Sequence, residues 1–285
     1  MSLPATTLVV LAQAFDPERL DLVARLARSA PARLTGAGSA RFDDADPSTR
    51  PAVAAQCDAW GWDAAFVPTA MRFADLGLVV SDMDSTLITI ECIDEIADML
   101  GIKDKVAAIT ERSMRGELDF SASLTERVAL LAGLPESALE TVYRERLRLT
   151  DGARELVAAC QRHGVRFLLV SGGFTYFTDK LKDSLGLDYA FANRFEVRDG
   201  RLTGRIDGAI VDAAAKRELL LRYRAELGLG AEQVLAVGDG ANDLKMLAEA
   251  GIGVAFRAKP VVRSQADVAL NFSGLEGIVR LFADA

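Results

Sequence analysis

Short apolar runs that alternate with helical segments constrain this chain more than any other feature. Residues 76–81, 166–170, 233–237 and 253–255 are such runs, and helical character lies between or after them. Apolar stretches without polar alternation suit strands buried on both faces. Strand–helix alternation predicts an α/β fold with a parallel sheet and helices on both faces. In such a fold ligands bind outside the carboxyl ends of the strands. Chemistry is therefore expected just past each run.

Two segments depart from the alternation. Residues 92–149 are helical throughout, with helices expected near 93–100, 103–114, 121–132 and 136–147, punctuated by Gly101, Gly116 and Gly133-Leu-Pro135. An all-helical insertion after a strand end predicts a cap over the site. Residues 1–75 read β-α-β-α-β, with strands near 6–12, 40–42 and 63–67 and helices near 17–27 and 51–60. That order predicts a small α+β module with its own sheet, and it carries no chemical motif. The expected organisation is thus a module at 1–75 and a catalytic domain at 76–285, with its cap at about 92–149. Within the domain, Asp199-Gly200 joins two strands as a hairpin, and helices are expected at 153–163, 176–185, 214–227, 243–250 and from 260.

Composition narrows the class. Half of the 285 residues are hydrophobic, which is enough for a large core, and the net charge is −8. An acidic chain argues against nucleic acid as a partner, since phosphate backbones call for clustered Lys and Arg. The cysteines Cys57, Cys92 and Cys160 are odd in number and form no Cys-x-x-Cys pair, against a zinc or redox motif and in favour of a reducing compartment. Cys92 lies close to the first motif below, and a small buried apolar role is expected of it. The N-terminus has no basic region before its short apolar run, and no run approaches the roughly 20 residues that span a bilayer. A soluble cytoplasmic protein with no membrane partner is expected. His163 precedes Gly164 at a helix end and is assigned no chemistry, and Trp60 and Trp62 are expected in a core or interface.

The strand ends carry acids, glycines and a serine. Asp82-Met-Asp84-Ser-Thr86 follows the first run, and carboxylates two apart on an extended chain share a side. They repel unless a cation or a proton intervenes, which suits one carboxylate on a metal and one that carries a proton. A turn or capping role is the alternative. Ser171-Gly172-Gly173 follows the second run and offers a hydroxyl and bare N–H groups to an anion, or an ordinary glycine turn. Gly238-Asp239-Gly240-Ala241-Asn242-Asp243 follows the third, with Asp239 and Asp243 as oxygen ligands for a cation such as Mg²⁺, or with Asn242 and Asp243 as helix caps. Lys216 would be a surface lysine unless a buried anion needs it.

The ordered set Asp-x-Asp-x-Thr, Ser-Gly-Gly, Lys and Gly-Asp-Gly-x-Asn-Asp resembles the haloacid dehalogenase superfamily of phosphatases. Asp82-Met-Asp-Ser-Thr, Val170-Ser-Gly-Gly-Phe174, Asp188-Tyr-Ala-Phe-Ala-Asn193 and Ala236-Val-Gly-Asp-Gly-Ala-Asn-Asp243 resemble the phosphoserine phosphatases within it, from about Leu76 to the C-terminus. The resemblance implies a Rossmann-like core with a helical cap, and Mg²⁺-dependent hydrolysis of phosphoserine as the last step of serine biosynthesis. It implies Asp82 as the nucleophile that forms an aspartyl-phosphate and Asp84 as general acid, then base. Asp82, the Asp84 main-chain carbonyl and Asp239 would hold the metal, with Asp243 as support or a further ligand. Lys216, Ser171, Gly172 and Asn242 would hold the phosphoryl group. Glu91 would take the substrate amine and Arg127 its carboxylate, with solvated helix charges as the alternative for both. Phe120 and Met114 would line the cap, or simply pack helices. A phosphotransferase, a phosphatase for another small phosphate, and an amino-acid sensor built on the N-terminal module are the competing readings, and self-association as a homodimer is left open.

Overall fold

The protein is described by a computed structural model covering residues 5–36, 38–115 and 117–284, with the side chain of Met114 also outside the described set. The expected role of Met114 in the cap therefore lies outside the described residues.

The N-terminal strands β1 (Thr6–Leu11), β2 (Arg33–Leu34), β3 (Ser39–Phe42) and β4 (Asp63–Pro68) form one antiparallel sheet in the order β2-β3-β1-β4. Alternate residues of β1 serve different cores. Leu8 and Val10 pack with Leu20, Val23, Val53 and Cys57 from the two helices of this segment, Pro17–Ala27 and Arg50–Ala59. Val9 and Leu11 instead join the main core with Leu275, Ile278, Leu281 and Phe282. Trp60 and Trp62 meet edge to face at 5.2 Å and pack within the helical side of this module.

Seven further strands form the main sheet: β5 (Leu78–Ser81), β6 (Arg166–Phe174), β7 (Tyr189–Arg198), β8 (Arg201–Asp207), β9 (Val234–Gly238), β10 (Ile252–Phe256) and β11 (Val268–Leu270). Their order is β11-β10-β9-β5-β6-β7-β8, parallel throughout except for the antiparallel β7–β8 hairpin. All four residues of β5 are buried, as its β-branched composition predicts for a central strand. The chain leaves β5 towards β6 on one side and returns to β9 on the other, so the strand order reverses at the carboxyl end of β5.

The segment after β5 is helical: Cys92–Met99, Lys103–Met114, Phe120–Ala129 and Ser137–Thr141, the last running on through Val142–Arg146. Its two ends meet where Thr89 N–H donates to the Arg148 carbonyl at 3.0 Å and Ile88 pairs with Leu149. Its far side is tied to the hairpin by Gly133 N–H on the Leu202 carbonyl at 2.8 Å.

Two local expectations need correction, and one strand was not anticipated. The helix expected at 243–250 spans only Leu244–Leu247, because Gly251 already donates to the Ala231 and Val234 carbonyls to start β10. The helix opened by Pro260 stops at Arg263. Strand β11 has no counterpart in the sequence reading, since its three residues pair with β10 by tertiary placement and carry too short a pattern to register. No helix among the described residues is long and apolar enough to cross a membrane.

Candidate active site

One cavity of about 560 Å³ lies at the carboxyl ends of β5, β6 and β9. Asp82, Asp84, Glu91, Arg127, Ser171 and Gly172 line it, and Asp239 and Asn242 join them from beyond β9. Lys216 and Asp243 lie beneath, each with no exposed surface.

Asp82 directly follows β5 and takes the Met83 N–H on Oδ1 at 2.7 Å. Lys216, on the helix Ala213–Glu226, puts Nζ 2.8 Å from Asp82 Oδ1 and 2.7 Å from Asp243 Oδ1. This excludes the surface-lysine reading. Burial works against the Lys216 charge, but Asp243 and Asp82 outweigh it and hold its pKa above the usual range. Asp243 makes no side-chain capping bond to the helix it precedes, so the capping reading fails there as well. Its second oxygen takes the Gly240 N–H at 3.0 Å.

Carboxylate oxygens of Asp82, Asp239 and Asp243 all lie within 4.8 Å of one another. Burial and the neighbouring Asp243 hold Asp82 well above the carboxylate range despite Lys216, and the same two causes push Asp239 up to about 6. Hard oxygen donors this close, with Asp82 and Asp239 raised by desolvation and by a like charge, form a set that a divalent cation fits.

Asp84 stands apart from that cluster. Its Oδ1 accepts the Cys92 N–H at 3.2 Å, while burial, with Glu91 adding to it, pushes its pKa to about 7. A carboxyl group so poised can hold a proton near neutrality and pass it on. Cys92 itself is buried, as expected of a small apolar residue.

The glycines after Ser171 belong to strand β6 and are needed for close approach rather than for a turn. A Cβ on Gly172 would come within 2.8 Å of Phe120 Cζ, and one on Gly173 within 2.6 Å of Asp84 Oδ2. Gly173 N–H donates to Ser171 Oγ at 2.8 Å. Phe120 thus brings the cap down onto the carboxyl end of β6.

Glu91 and Arg127 both belong to the cap. Arg127 is half-buried, its Nε donates to the Ser123 carbonyl at 3.3 Å, and it forms no ion pair among the described residues. Arg112 and Arg115 are tied at 2.8 Å to Glu126 and Glu111. Burial lowers the Arg127 pKa, with Asp94 and Glu91 opposing. Desolvation in the cleft raises Glu91, opposed first by the hydrogen bond from Ser85.

Four residues escaped the sequence reading as contributors. Thr86 Oγ1 donates to Asp239 Oδ1 at 3.0 Å, and Ser85 Oγ donates to Glu91 Oε1 at 2.6 Å. Asn193 donates to the Gly172 carbonyl and accepts from Val211 N–H, both at 2.8 Å. Lys259 lines the cavity in no ion pair among the described residues. Ser85, Thr86 and Asn193 lie inside the quoted motifs, so their positions were visible and their partners were not.

A family model for haloacid dehalogenase-like hydrolases matches residues 79–248. The chain belongs to this family. Among haloacid dehalogenase-like relatives, a phosphoserine phosphatase of Polaromonas sp. is 53% identical over 216 residues, covering 74% of this chain and 92% of that protein. A solved probable phosphoserine phosphatase from Vibrio cholerae, unliganded, is 38% identical with a TM-score of 0.84, covering 97% of this chain and 86% of that one. A phosphoserine phosphatase solved as a phospho-aspartyl intermediate analogue is 41% identical with a TM-score of 0.68, covering 73% of this chain and 99% of that one. As a family member the chain is a hydrolase with the α/β fold expected of it.

Proposed function

We propose that this hydrolase removes phosphate from O-phosphoserine in the cytoplasm, as the last step of serine biosynthesis. The observation that carries the reading is the shared cavity: an anion-recognising Arg127 and a cation-recognising Glu91 face the same space as the Asp82 carboxylate. Phosphoserine brings one amine, one carboxylate and one phosphate, and the cavity offers a partner for each. The phosphoserine phosphatases of Polaromonas and the other relatives support the same substrate.

In this reading Asp82 attacks phosphorus and carries the phosphoryl group as an acyl phosphate. Asp84 gives its proton to the departing serine oxygen and then takes one from the water that releases phosphate. Lys216 steadies Asp82 and offsets phosphoryl charge. Ser171 Oγ–H, the Gly172 N–H and Asn242 receive the phosphoryl oxygens. Asp82, the Asp84 main-chain carbonyl and Asp239 would hold Mg²⁺, with Asp243 in support. When bound, that ion supplies the positive charge that lets a carboxylate approach a dianion. The helices at about 92–149 act as the cap of a catalytic domain over 76–285, beside an N-terminal module over 1–75.

The test is phosphate release from L-phosphoserine with and without Mg²⁺, beside a panel of small phosphates and hydroxyl acceptors. Strong Mg²⁺-dependent preference for phosphoserine is expected. Preference for another phosphate would overturn the substrate and keep the Asp82 chemistry. Transfer of most phosphoryl groups to an acceptor would overturn hydrolysis.

A further inference from the structure

Ser85 has φ 56° and ψ 2°, in the left-handed region that few non-glycine residues occupy. Arg28, Asp44, Asp199 and Arg257 share that sign of φ among the described residues, but Ser85 alone of the five sits between the catalytic carboxylates and Glu91. The conformation closes a tight loop, with Ser85 N–H donating to the Ile90 carbonyl at 3.2 Å. Glycine, asparagine or aspartate would take it more readily. What serine adds over glycine is a hydroxyl, and that hydroxyl donates to Glu91 Oε1 at 2.6 Å.

Glu91 has little else to hold it. It precedes the helix Cys92–Met99 but makes no side-chain capping bond, and its carboxylate takes no other hydrogen bond among the described residues. A glutamate with free torsions would scatter its oxygens over the cleft. With Oε1 tied, Oε2 is left for a second donor.

We infer that Ser85 is a positioning residue for substrate selection: it fixes the Glu91 carboxylate so that its free oxygen meets the substrate's amine. The inference rests on the reading of Glu91 as the amine partner. It also explains a division of labour in the motif, since Thr86 serves Asp239 in the same manner and the two neighbouring hydroxyls hold two different carboxylates of the site.

The full chain is tested on two substrates, O-phosphoserine and the phosphate ester of 3-hydroxypropionate, which is phosphoserine without its amine. Ser85→Gly keeps the backbone conformation and removes the hydroxyl. Its KM for phosphoserine should rise about tenfold, the scale of one hydrogen bond to a charged group, and preference over the amine-free ester should fall by the same factor. Ser85→Asn tolerates the left-handed backbone and supplies a donor, so it should recover part of that preference. An unchanged preference in Ser85→Gly overturns the inference, as does an equal loss of kcat on both substrates, which would make Ser85 a support of the Asp84 loop. Glu91→Gln separates the two levels. If it leaves the preference intact, the amine reading of Glu91 fails; if it abolishes the preference while Ser85→Gly does not, only the positioning role fails.

Discussion

Lys216, itself fully out of solvent, joins two buried carboxylates, Asp82 and Asp243. Removing one partner of a buried charge set leaves the others desolvated and uncompensated, at a cost of about 3–5 kcal/mol. Lys216→Ala should therefore lower stability by about that amount in chelator-treated protein, read from urea denaturation, beyond its loss of activity. Asp82→Asn should behave in the opposite sense. It removes one of the crowded carboxylates, so turnover should vanish while the fold survives. Retained turnover would refute the nucleophile. Among the described residues Arg127 lacks the surface ion pairs that occupy Arg112 and Arg115. Arg127→Ala should raise KM for phosphoserine by about thirtyfold or more, from about 2 kcal/mol or more of lost charge pairing. Phenyl phosphate should be affected less. Equal loss on both substrates would return Arg127 to a structural role.

Among the elements, the carboxyl end of β6 has the narrowest tolerance. It holds Ser171 and Gly172 against the cavity, and Asn193 ties it to the residues that lead into the Lys216 helix. Asn193→Ala strips a hydrogen bond from each of two part-buried backbone groups and should cost about 1 kcal/mol while weakening phosphate binding for every substrate alike. Inorganic phosphate inhibition would read this directly, and a substrate-selective effect would argue against it. These contacts also mark how far elements were legible. Strands β5, β6 and β9 announced themselves by unbroken apolar runs, and the hairpin by Asp199-Gly200. Strand β11 and the short ends of the helices near 244 and 260 did not, because their lengths are decided by what they pair with.

At the scale of the whole molecule, the N-terminal module and the catalytic domain share one core. Val9, Leu11, Ala65 and Val67 on one face of the small sheet pack with Leu275, Ile278, Leu281 and Phe282. Polar ties cross the same boundary. The buried Asp63 accepts the N–H groups of Asn271, Phe272 and Ser273 at 2.6, 3.2 and 2.8 Å, and Arg41 donates to the Leu281 and Phe282 carbonyls at 3.1 Å. Calorimetry should show one thermal transition for the full chain. Asp63→Ala should lower its stability by at least about 3 kcal/mol, since several charge-assisted hydrogen bonds are lost together. Two separable transitions would contradict the shared core. Truncation at residue 75 would expose an apolar surface of the catalytic domain, so such a truncated chain is a poor probe of any regulatory role for the module.

The order of the catalytic segments, their residue types and their places just past apolar strands were all written in the sequence by itself, because strand composition and the residues after it are local. Family and reaction class followed from that order. Only the tertiary structure decided that Lys216 is buried against Asp82 and Asp243, that Asp84 stands outside the Asp82, Asp239 and Asp243 cluster, that Ser85 and Thr86 tie two different carboxylates of one cavity, and that one face of the small sheet is spent inside the main core. Each depends on which strands lie side by side and on how deeply a side chain is enclosed. Those distances join residues far apart in the chain, and no local pattern encodes them.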